Sequence, residues 1–212
     1  MATVNAITGD LFVSGNIQRS RDSLILPGIS RTEQVQSDLQ EYPILPMDWK
    51  IWDAFATDLT GTSGTDDLGL YAGAFATGCP YVSTGDVKTL TVTRYARTVW
   101  QVPLEFVTGQ RITLRANAGM VTTVASSLAT VDFEIYKMGE NALISGADIN
   151  ATASQSCNSL TFAELSYTVT TATLAPGDLL DIRLTIAVTD AATATAVIAA
   201  LGAMKIAVDI KG

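Results

Sequence analysis

From about residue 53 onward the chain is a succession of short Thr/Val/Ile-rich segments, each closed by a Gly-Asp, Pro-Gly or similar turn. That pattern leaves β-sheet as the only architecture with enough regular structure to build a core, because no apolar stretch sustains a helical period. Segments 68–75, 87–100, 111–118, 130–138, 160–170, 179–188 and 204–210 read as strands. Alternation is cleanest in Val131-Asp132-Phe133-Glu134-Ile135 and in Lys205-Ile206-Ala207-Val208-Asp209-Ile210, where one face is apolar and the other polar or mixed. Seven or eight such strands predict an all-β, jelly-roll-like β-sandwich over residues 53–212.

Residues 1–52 read differently, as an extended N-terminal arm with a short β-motif. Segment 10–17 is a brief strand with its own turn, and Pro27-Gly28 ends a second extended piece. Ser30 and Glu33 have the spacing of a capping box, which predicts a short helix over 31–41, stopped by Pro43. Tyr42, Pro43, Ile44, Leu45, Pro46, Trp49 and Trp52 then crowd large apolar side chains and two prolines into a few residues. Tyr42, Ile44, Leu45, Trp49 and Trp52 are the candidate interface anchors, since aromatic residues dominate interface hot spots. The alternative reading is that Trp49 and Trp52 lid the domain's own core.

One motif occurs twice. Gly109-Gln-Arg-Ile112-Thr-Leu114-Arg115 and Gly177-Asp-Leu-Leu180-Asp-Ile182-Arg183 share a glycine, two aliphatics and an arginine at the same offsets. Either two strands hold related positions in the two sheets, each led by a turn that uses glycine at positive φ, or this is simply how such strands restart.

The chemistry is sparse. There is no histidine, so Ser-His-Asp and Cys-His catalysis and the commonest zinc and iron sites are excluded within this chain. Cys79 and Cys157 could form one bridge; two buried reduced thiols fit better than a disulfide framework. Asp132 and Glu134 share a strand face, where Glu105 or Asp181 could join them, but carboxylates at that spacing suit a solvent face. Asp58, Asp66, Asp67 and Asp86 sit in loops without the spacing of a calcium loop. Gly61-Thr-Ser-Gly64 lacks the lysine of a phosphate loop. Tyr71, Tyr81, Tyr95, Trp100 and Tyr136 could stack on sugars or simply pack. No catalytic residue, cofactor or metal is therefore expected.

A net charge of −8 argues against nucleic acid or an anionic membrane as partner, because both need a basic footprint. No signal peptide is read at the N-terminus, and the apolar run 196–204 is too short to span a bilayer. Charged residues are only 16% of the chain, against roughly 25% in ordinary soluble domains. That suits a surface covered by other subunits, or equally an extracellular Ser/Thr-rich β-protein.

Three stretches carry a resemblance. Ile7 to Ile17 resembles the short β-motif that opens many tailed-phage virion proteins. Val102 to Arg115, with Ala118-Gly-Met, is similar to phage structural proteins, and Leu174-Ala-Pro176-Gly177-Asp178 resembles the turns of viral and tumour-necrosis-factor-like jelly rolls. The resemblance implies a phage capsid decoration (cement) protein, with a jelly-roll domain, a homotrimer, and the major capsid protein as partner. It would be made in the host cytoplasm and reside in the virion. A tail or fibre protein with a glycan-binding β-sandwich is the alternative, and a carbohydrate-active β-sandwich enzyme a third reading.

Overall fold

The computed structural model describes residues 37–88, 91–122, 128–141, 143–190 and 195–211. The β-motif over 10–17 and the capping box at Ser30 lie outside the described residues. The described residues form ten strands: β1 (Ser37–Ile44), β2 (Gly69–Tyr71), β3 (Tyr81–Ser83), β4 (Thr91–Gln101), β5 (Ile112–Thr122), β6 (Leu128–Lys137), β7 (Gln155–Ser156), β8 (Ala163–Val169), β9 (Leu179–Thr189) and β10 (Ile198–Lys211). A 3-10 turn, Pro46–Asp48, follows β1.

The strands form two antiparallel sheets. One runs β2-β3-β10-β5-β8 with β1 also on β10, and the other runs β4-β9-β6-β7. From β3 to β6 the chain crosses between sheets at each connection, and β8, β9 and β10 alternate again. This is jelly-roll wrapping, as the sequence predicts. Alternation decides which side chains turn inward. On β5, Ile112, Leu114, Ala116, Ala118 and Met120 are buried, while Arg115 and Asn117 face out. On β9, Leu180, Ile182, Leu184, Ile186 and Val188 point into the same core.

The repeated motif occupies equivalent places. Gly109 and Gly177 both take positive φ, +89° and +85°, and lead into β5 and β9, each an interior strand of its sheet. In each copy the two aliphatics turn inward and the arginine turns outward.

An aromatic stack ties the sheets together. Phe133 of β6 meets Tyr167 of β8 edge to face at 4.8 Å, and Trp49 lies against Phe133 at 6.4 Å. The buried Tyr167 hydroxyl donates to the Val131 carbonyl across the core at 2.7 Å. Burial raises its pKa, with the charges of Asp132 and Cys157 adding to the effect.

The segment assigned by sequence to the arm needs correction in its described part. Residues 37–41 are strand, not helix, and 37–44 pair along β10 from Ser37 opposite Lys211 to Ile44 opposite Met204. A local capping signal loses there to a ladder with β10. Pro43 fits because β1 is an edge strand, so its missing N–H costs no ladder bond. The sandwich thus begins before residue 53. Other boundaries shift as well: β3 and β7 are too short to read from periodicity, and the strand expected over 68–75 stops at Tyr71.

The free edge of β4 is closed by loop backbone. Lys50 and Arg97 exchange both main-chain bonds, at 2.9 and 3.1 Å, and Tyr95 is held between Asp66 and Leu68. An exposed ladder is thereby removed as a site of indiscriminate pairing.

Replacing Tyr167 by Phe leaves the Val131 carbonyl without that donor. We expect a loss of about 1–2 kcal/mol in urea unfolding with an unchanged m-value.

Candidate functional site

Each sheet turns an outer face to solvent, and the two faces differ in chemistry. On the β4-β9-β6 face a strip of rings and charges crosses the strands. Asp181 is fully buried within it and accepts from Arg97 (2.5 and 2.8 Å) and from Arg183 (2.9 and 3.0 Å). The Arg183 guanidinium stacks on Tyr136 at 4.5 Å, and Arg97 lies 5.5 Å from the Phe55 ring. Trp52 tilts over Tyr95 at 5.5 Å. Trp52 and Phe55 remain exposed, so this strip offers two rings to solvent beside paired charges.

The carboxylates of this face are engaged with backbone amides and arginines. Asp132 has its pKa raised chiefly by burial and, less, by Asp148, while a bond from the Phe133 amide opposes the rise. Asp148 accepts instead from the amides of Ile135 and Asn150 at 2.8 and 2.9 Å, which shapes the turn. Glu134 stands opposite Arg183 in the ladder. Among the described residues no three acidic, cysteine or histidine side chains are placed to hold a metal ion. Of the loop aspartates, Asp58 pairs with Lys50 and Asp86 with Lys88.

The outer face of the other sheet is apolar at one end. Strand β10 carries β5 along one edge and, on the other, β3 at residues 200–201 and β1 at 204–211. Between them its register breaks at Gly202 and Ala203. Over that break lies an open cleft of about 500 Å³, lined by Pro43, Leu45, Cys79, Val121, Phe162 and Ala203 among others. Phe162 lies flat because Gly119 has no side chain: a Cβ there would sit 2.7 Å from its ring. Above one wall of the cleft the loop 72–80 turns tightly, with the amides of Thr77 and Gly78 both bonded to the Ala74 carbonyl. Phe75 stands at its tip, fully exposed.

Beside this cleft the charges cancel. Lys205 and Arg115, adjacent on β10 and β5, each pair with both Glu41 of β1 and Glu164 of β8, at 2.9–3.9 Å. Arg115 belongs to the first copy of the repeated motif, as Arg183 belongs to the second.

The five anchors expected from sequence are thus divided. Trp49 (1% exposed) is covered by the chain's own core, which corrects its assignment, and Ile44 (5%) is largely core with only an edge at the floor of the cleft. Tyr42 is half-buried against Trp100 at 5.9 Å. Leu45 lines the apolar cleft, and Trp52 lies on the opposite sheet's strip. Tyr71 and Tyr81 stack on each other at 5.6 Å. Sequence reasoning missed Phe75, Phe162 and Phe55, although the uncharged run Ala72 to Tyr81 was a signal for the first.

Neither cysteine is paired: Cys157 is buried, and Cys79 is exposed in the cleft rather than buried as expected. Burial pushes the Cys157 thiol up to about 11, so it stays protonated and unreactive near neutral pH.

No protein-family model matches the chain, and no curated protein matches it. Among solved structures, the CBM22-1 xylan-binding domain from Paenibacillus barcinonensis Xyn10C is 13% identical with a TM-score of 0.44, over 83% of this chain and 97% of that one. The C-terminal family 22 carbohydrate-binding module of Clostridium thermocellum Xyn10B is 14% identical with a TM-score of 0.41, over 79% and 93%. A chain in the structure of infectious bursal disease virus, Gx strain, is 14% identical with a TM-score of 0.41, over 83% of this chain and 33% of that one. At this distance the similarities carry no argument about what the chain binds.

Removing Asp181 leaves two arginines facing each other on β4 and β9. We expect Asp181→Ala to cost about 3 kcal/mol in denaturant unfolding, well above the cost of removing an exposed ion pair.

Proposed function

We propose that the chain is a phage virion structural protein, a capsid decoration (cement) protein that binds the assembled shell as a trimer and stabilises it. The observation that carries this reading is the apolar end of the β1-β10-β5-β8 face, where an open cleft and a fully exposed Phe75 share an uncharged loop. Burying one large apolar side chain is worth about 1.5–3 kcal/mol, so a Phe left in water beside an open apolar cleft suits a contact surface. A protein of this kind needs a rigid core and a face that excludes water against its neighbours. It needs no reaction centre, and in this reading the chain is not an enzyme. Its partner is the major capsid protein, with neither nucleic acid nor membrane involved. Binding the assembled shell in preference to its separated subunits shifts the equilibrium toward the shell by mass action.

The resemblance of the Val102–Arg115 and Pro176–Asp178 stretches to phage structural proteins and viral jelly rolls supports the same reading. A second reading, a glycan-binding tail or fibre protein, is favoured by the exposed rings of Trp52 and Phe55 beside Tyr95 and Arg97.

Sedimentation with empty heads of the phage that carries the gene separates the two. The decoration reading expects saturable binding and a rise of several degrees in the temperature at which the heads disrupt, both unaffected by Trp52→Ala. Heads that sediment without the protein, together with glycan-array binding lost in Trp52→Ala, would overturn it.

A further inference from the structure

We infer that Phe75 of one copy seats in the apolar cleft of a second copy, and that this contact joins the subunits of the assembly. The inference rests on the proposed assembly role of this face and names its partner there. A knob and a hole stand side by side on the same surface. Gly78, Cys79 and Pro80 are at once one wall of the cleft and the stem of the loop that lifts Phe75 clear of it. The knob therefore cannot fill its own hole without unfolding its stem, whereas a neighbouring copy presents the same ring from outside.

Three further observations favour a copy of this chain as the occupant. The first is charge. At −8, two copies repel over most approaches, and the way in with least repulsion is a face whose charges already cancel. Here Glu41 and Glu164 are compensated by Arg115 and Lys205, and none of the residues lining the cleft is charged.

The second is size. About 500 Å³ accommodates a phenylalanyl ring together with the alanines that flank Phe75 on both sides. The third is preorganisation. Gly73 at φ +71° and the two hydrogen bonds that the Thr77 and Gly78 amides donate to the Ala74 carbonyl fix the loop before contact, so little ordering remains to oppose association. Knob and hole are different patches, so each knob passes to the next subunit, and the contact closes as the proposed trimer when the rotation is three-fold.

Light scattering across a concentration series tests this with variants that leave the core untouched. Phe75 and Ala203 are both exposed, so Phe75→Asp and Ala203→Arg should fold normally, with circular dichroism and melting unchanged. The wild type is expected at a multiple of 22.4 kDa and each variant at 22.4 kDa. Cys79 supplies an independent readout, because a maleimide reaches it in the cleft while Cys157 stays buried. Its labelling should slow at least tenfold in the wild type as concentration rises, and should be independent of concentration in Phe75→Asp.

A monomeric wild type, or variants that keep the wild-type mass and Cys79 protection, would overturn the inference. Failure here is distinguishable from failure of the proposed function. A monomer that still binds heads refutes only the copy-to-copy contact, and a Phe75-dependent oligomer that ignores heads refutes only the shell-binding role.

Discussion

The backbone ladder along β10 is the interaction on which the remaining structure depends. Its fourteen residues hold β5 on one edge and both β1 and β3 on the other. The ladder positions five strands of one sheet directly or through one neighbour, since β2 reaches it through β3 and β8 through β5. A single long strand cannot serve two shorter ones end to end without a seam. The register break at Gly202 and Ala203 is that seam, and the apolar cleft lies over it. The surface that carries the proposed function is therefore a by-product of how the sheet is assembled.

The inner and outer faces divide the work. Inside, the contact of Phe133 with Tyr167 and the hydroxyl bond to Val131 fix the sheets against each other, and Trp49 closes one side. Outside, each sheet anchors its polar network on an arginine from one copy of the same short motif. Arg183 joins Arg97 around a buried carboxylate, whereas Arg115 sits in a half-exposed square of four charges that contributes little to stability. The second network neutralises a face on an acidic protein, which matters more for association than for folding.

Much of the architecture was legible in the residues. The turn-led aliphatic pairs after Gly109 and Gly177 suggested two strands in related positions, and alternation around Phe133 and Val208 marked the inward faces. What failed was decided by distant partners. Residues 37–41 carry a helical start signal upstream, yet their ladder with β10 comes from the far end of the chain. Trp49 and Trp52 look alike in sequence, three positions apart. Phe133 takes the first into the core, and the loop turns the second out over Tyr95. The cleft was not legible at all, because its walls come from segments around residues 45, 79, 121, 162 and 203. Gly73, two residues after Tyr71, is the local sign that the chain leaves the sheet before Phe75, and the apolar run around it hides that sign.

The most direct test of the central claim, that the apolar end of the β1-β10-β5-β8 face is an assembly surface, is cryo-electron microscopy of phage heads incubated with the protein. The account predicts jelly-roll density at shell-subunit junctions, with Phe75 and the Leu45–Phe162 cleft covered by protein. Heads without jelly-roll density, or bound jelly rolls with Phe75 left in solvent, would contradict it.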